Sequence, residues 1–149
     1  MTQLDHREAS ELNAIAGIHP AHRLARYAFL GAATVFAACV AAQVFLAGLA
    51  TFATPVHWAQ HRSFVHLFGF VPALMLALSL VGRLPARLRW QSAALWLLIF
   101  AQYATANIGG RAPLAAALHP VLALALFWLA AEVVRQGWRA LGYVKEQGR

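Results

Sequence analysis

The sequence predicts an all-α membrane protein: a four-transmembrane-helix antiparallel bundle with both termini cytoplasmic. Three observations carry that prediction. First, 61% of the 149 residues are hydrophobic and only 11% are charged, against roughly 25% charged in soluble domains. A water-soluble fold of this length would lack the polar residues to cover itself. Second, four apolar runs are each close to the roughly 20 residues that a helix needs to cross a hydrocarbon core of about 30 Å. Third, ten of the twelve Lys and Arg residues fall on one side of those runs.

The runs cover about 27–52, 63–82, 90–108 and 113–134. Residues 1–26 form a polar cytoplasmic tail with room for one short surface helix. Residues 135–149 form a basic tail in which Trp138, Leu141 and Tyr143 lie among Arg and Lys, as in a segment resting on an anionic leaflet. Pro72 and Pro120 fall inside the second and fourth runs. A membrane helix tolerates proline because neighbouring groups satisfy the freed carbonyl, so kinks are expected there and not breaks. The joining segments "GRLPARLR" and "GGRAP" are short, which forces neighbouring helices to run antiparallel. In the second, Gly109 or Gly110 is expected to stop a helix in the left-handed conformation and Pro113 to open the next.

Orientation follows from charge. Arg7, Arg23, Arg26, Arg83, Arg87, Arg89, Arg135, Arg139, Lys145 and Arg149 share one side, and Arg62 and Arg111 the other. The positive-inside rule then places both termini in the cytoplasm of a bacterial inner membrane. The first run is too long for the apolar core of a signal peptide, and a polar segment precedes it. The formal charge of +7 reports topology and not nucleic-acid binding. The single cysteine, Cys39, excludes an intramolecular disulfide and reads as a packing residue.

Polar side chains inside membrane runs usually face the bundle interior. Counting 1.5 Å per residue from the basic side, His66 lies about 25 Å up the second run and His119 about 24 Å up the fourth. Gln43 on the first run comes to about 24 Å and Gln102 on the third to about 18 Å. One polar residue from each run therefore gathers in the outer part of the bundle. His57, His61 and His66 stand together in "HWAQHRSFVHLFGF". His61 and His66 differ by about 140° around a helix, so only one can face His119 squarely. His57 and His61 read as interfacial beside Trp58 and Arg62; His6, His19 and His22 read as solvated.

Two imidazoles from two helices at one depth suit an iron porphyrin, which takes axial nitrogen ligands in a helical slot. Zinc or copper would call for more ligands than this level supplies. The expected site is therefore haem b held by His66 and His119, with His61 as alternative ligand and Gln43 and Gln102 lining it. Two other readings stay open: a cofactor-free accessory subunit whose polar residues only fix helix register, and a quinone-interacting protein. A homodimer or a membrane-complex partner suits either. Four helices with short loops leave no room for a substrate domain, which argues against independent enzymatic activity.

The stretches "QVFLAGLATF", "HWAQHRSFVHLFGF" and "ALHPVLALALFWLA" resemble a small uncharacterised bacterial four-helix membrane family of unknown function. The "HR" opening the second run and "LHPVLAL" in the fourth also resemble one half-bundle of the haem A synthase family. That resemblance implies that His61 and His119 face a haem. The chain departs from the pattern at Trp58, where the family has glutamate, and has no second half-bundle.

Overall fold

The computed structural model describes residues 20–146, with side chains described through Leu141. The tail histidines His6 and His19, the short helix expected there, and Tyr143, Lys145 and Arg149 lie outside the described residues or side chains. Helix is the only regular structure among the described residues. The order is α1 (Pro20–Phe52), α2 (His57–Phe68), α3 (Val71–Val81), α4 (Ala86–Asn107), the single turn α5 (Pro113–Ala116) and α6 (Leu118–Glu146).

Three helical stretches are long and apolar enough to cross a membrane: Pro20–Phe52, His57–Val81 and Pro113–Leu141. Their outward side chains suit lipid: Val35, Phe45, Leu67, Phe70, Leu74, Leu124 and Phe127 are exposed, a surface that water would not support. The 22-residue α4 is as long as a span but carries Arg87, Arg89, Gln91, Gln102 and Asn107. It packs between α3 and α6, and α1 packs along α2, α3 and α6.

Both prolines sit just beyond a discontinuity. Pro72 has no N–H to offer the carbonyl of Phe68, the last residue of α2, and Pro120 has none for Ala116, the last of α5. The residues between the segments keep right-handed helical angles: Gly69 at φ −59°, ψ −23° and Phe70 at φ −87°, ψ −10°, and Ala117 at φ −64°, ψ −15°. These are kinks in continuous helical paths, as the prolines predict. Gly69 is also where α4 comes close, since a Cβ there would stand 3.4 Å from the Tyr103 hydroxyl.

The turn after α3 ends differently from what "VGR" suggests. Gly82 stays right-handed (φ −72°, ψ −1°) and Arg83 takes the left-handed position at φ 48°. Leu84 N–H reaches Ser79 O (2.9 Å) and Arg83 N–H reaches Leu80 O (3.1 Å), the paired bonds of a Schellman stop. Gly82 lies close to α1: a Cβ there would stand 3.2 Å from Arg26 Cγ and 3.4 Å from Arg26 N. Arg26 Nε donates to the Gly82 carbonyl (2.8 Å) and His22 Nδ1 lies 2.7 Å from the Val81 carbonyl, so α1 caps the end of α3 with basic groups. The expected left-handed glycine at Gly109 or Gly110 is not found. No described glycine has positive φ, and α4 ends at Ile108 (φ −102°, ψ 2°), whose carbonyl takes the Arg111 and Ala112 N–H groups, each at 2.9 Å. Pro113 does open α5.

The apolar core is concentrated toward the basic end, where α1 begins and α6 finishes. Phe29, Ala33, Phe36, Met75, Leu88, Leu95, Ala130 and Val133 are almost wholly buried. Buried Ser79 and Ser92 return their hydroxyls to Leu76 O (2.6 Å) and Leu88 O (2.9 Å) on their own helices. The α6 helix runs unbroken past residue 134, and Glu132 accepts from Arg135 Nε (2.7 Å) and lies 3.9 Å from Arg87 of α4.

Candidate functional site at the histidine end

At the opposite end the helices meet through polar side chains. Gln43 Nε2, from α1, donates to the His61 carbonyl (2.7 Å). His61 Nδ1 returns a bond to the Gln43 carbonyl (3.0 Å). A carbonyl can only accept, so His61 carries its proton on Nδ1 and leaves the Nε2 lone pair uncommitted. This two-way clamp fixes the His61 ring on α1. Trp58 braces it from one turn earlier, edge to face at 5.6 Å between centroids.

His119 is held against α4 in the opposite sense, with Nδ1 as the acceptor. Its Nδ1 lies 3.2 Å from the Gln102 carbonyl and 3.2 Å from Thr105 Oγ1. Thr105 itself donates to Ala101 O (2.8 Å). The Gln102 amide takes the orientation that places Oε1 2.6 Å from the Ala123 N–H and Nε2 2.8 Å from His119 Nδ1. Gln102 and Thr105 are nearly fully buried, so these bonds replace water that the site lacks.

His61 and His119 face each other with ring centroids 6.5 Å apart and planes inclined at 64°. The expected partner His66 is elsewhere. It stacks on Tyr103 of α4 (centroids 5.8 Å, 24° between planes) and hydrogen-bonds the Tyr103 hydroxyl at 3.2 Å. The level estimate favoured His66 because it treated the second run as one straight rod. It left rotation out, and the 140° between the two rings turns His66 toward Tyr103 of α4. His57 stays at the surface beside Gln60. Of the five expected site residues, Gln43, His61, Gln102 and His119 are brought together and His66 is not.

The backbone of α2 packs extensively against α1 alone, whereas α3 packs against both α1 and α4. Toward α4 and α6, α2 makes the ring contacts His66–Tyr103 and His61–His119. The small residues Ala115, Ala116 and Ala123 flank His119 in sequence. One polar atom in this region is left over: Gln43 Oε1 is buried without a hydrogen-bond partner. Among the described residues no three His, Cys, Asp or Glu side chains converge as a metal-binding group.

Tyr103 and Thr105 were not anticipated from the sequence. Tyr103 stands next to Gln102 and four residues before Asn107, so a polar-tipped aromatic at the level of the glutamine was the available signal. No curated protein and no solved structure matches the chain, so the comparisons give the resemblance to haem A synthase no support. Residues 43–108 match the model of a family of unknown function, DUF6220. The matched segment holds Gln43, His61, His66, Gln102 and Tyr103 and ends before His119.

Proposed function

We propose that this is a four-span bacterial inner-membrane protein, both termini cytoplasmic, that binds haem b between His61 and His119 near its outer face. The carrying observation is the facing pair itself, 6.5 Å between ring centroids. A metal ion bound to one nitrogen of each ring at about 2.0–2.1 Å asks for centroids about 6 Å apart. The two rings come from separate helices whose backbones stay apart at that level, which is where a planar macrocycle would enter. Bound there, haem would supply one-electron chemistry at its iron; the chain supplies the ligands, their orientation and an apolar surround.

The two histidines are not equivalent as ligands. His61, with its Nδ1 proton held by the Gln43 carbonyl, presents a free Nε2 lone pair. His119 Nδ1 accepts from the Gln102 amide, so ligation through Nε2 would place the ring proton on Nδ1, facing the Gln102 backbone carbonyl 3.2 Å away, and require the Gln102 amide to turn its Nε2 away. Support for the topology is the division of basic residues, ten against two, and the length of α4, enough for a fourth span beside the three more apolar ones.

The cofactor-free reading has one observation on its side: both histidines already have protein partners at Nδ1, so the cluster could serve helix register alone. Titration of detergent-purified protein with hemin separates the two. Haem binding predicts a saturable Soret band at one equivalent per chain; a cofactor-free accessory subunit predicts only the spectrum of free hemin in detergent.

A further inference from the structure

We infer that His66 and Tyr103 form a second site, independent of the haem reading, that binds the headgroup of a lipid-soluble quinone. His66 is exposed and lies about 13 Å along its helix from His57. Leu67 and Phe70 beside it are among the most exposed apolar side chains of the chain. An imidazole held among such residues is costly in a membrane unless something uses it.

The pair is built as a unit. The Tyr103 hydroxyl meets His66 Nδ1 at 3.2 Å, and the rings lie nearly parallel. Gly69 leaves room for that hydroxyl, since a Cβ would stand 3.4 Å from it. Asn107 Nδ2 donates to the Tyr103 carbonyl (2.7 Å), tying the last turn of α4 behind the ring. With the phenol donating to Nδ1, the imidazole proton sits on Nε2, which is left as an outward donor. The phenol oxygen keeps a lone pair as acceptor.

The site therefore offers one donor and one acceptor, one helical turn from exposed apolar side chains. A ligand must arrive through the bilayer, bury a flat apolar ring against aromatic faces and bring an oxygen that can accept from His66. A quinone carbonyl fits, and the hydroxyl of the corresponding quinol can donate to the phenol oxygen. The structure ties both glutamines to His61 and His119 and assigns the role to His66 with Tyr103.

The test is photolabelling of the full-length protein in lipid nanodiscs with a short-chain azidoquinone, mapped by mass spectrometry. The expected label falls on the segments holding His66 and Tyr103. Excess decylubiquinone should remove it, oleate should not, and Tyr103→Phe and His66→Leu should each lower it at least about fivefold. Tyr103→Phe keeps the ring and its stacking, so an unchanged elution profile confirms the fold. Label spread over lipid-facing residues, or undiminished in folded Tyr103→Phe protein, would overturn the site. Equal competition by oleate would overturn the quinone assignment.

Discussion

The two ends of the bundle are held together by different means. At the basic end Phe29, Phe36, Met75, Leu88 and Val133 are buried to 1–2% exposure or less, and Arg26 clasps the end of α3 through a single carbonyl. At the histidine end the buried contacts include Gln102 and Thr105, and hydrogen bonds from Gln43, His61 and His119 join the helices. Interdigitated apolar packing makes the first end rigid and chemically inert. The second depends on a few directional bonds, which hold side chains in place while leaving the α2 backbone away from α4 and α6.

The division can be broken from either side. Phe36→Ala should have the largest effect on folding, lowering stability by about 3–5 kcal/mol in reversible detergent unfolding, because its site is closed on all sides. Gln102→Leu should be milder, about 1–3 kcal/mol, by leaving the Ala123 N–H and His119 Nδ1 without their partner. The same variant should weaken hemin binding, whereas Phe36→Ala should leave binding by the folded fraction intact. Arg26→Met removes a basic cap and should lower stability by about 1 kcal/mol. Arg83→Gly should do the opposite, raising it by about 1 kcal/mol, because glycine takes the left-handed position without strain. A loss of stability in Arg83→Gly would show that the side chain contributes more than its backbone costs.

Most of the helical path was legible in the sequence, since apolar runs and prolines act locally. Pro72 and Pro120 announced their kinks because a missing N–H acts on the carbonyl four residues before it. The count of rise put Gln43 and His119 level with His66, whereas both meet His61, five residues earlier in the chain. What could not be read was rotation. His61 and His66 point about 140° apart around their helix, and the count of rise favoured the one that does not meet His119. Arg83 was hidden for another reason. Gly82 is the natural candidate for the left-handed position, but it lies close to Arg26 and stays right-handed.

A smaller effect sharpens the boundary between the two histidine sites. Thr105→Val removes a hydroxyl 3.2 Å from His119 Nδ1 while keeping its shape. It should shift the Soret maximum or the hemin affinity slightly and leave quinone labelling at Tyr103 unchanged. Equal loss of both signals would mean that the two sites are one.

The most direct test compares single histidine variants in hemin titrations of purified protein. His61→Ala and His119→Ala should each abolish or strongly shift the Soret band, and His66→Ala and His57→Ala should retain it at the wild-type position. Loss of the band in His66→Ala with retention in His61→Ala would contradict the assignment of the facing pair.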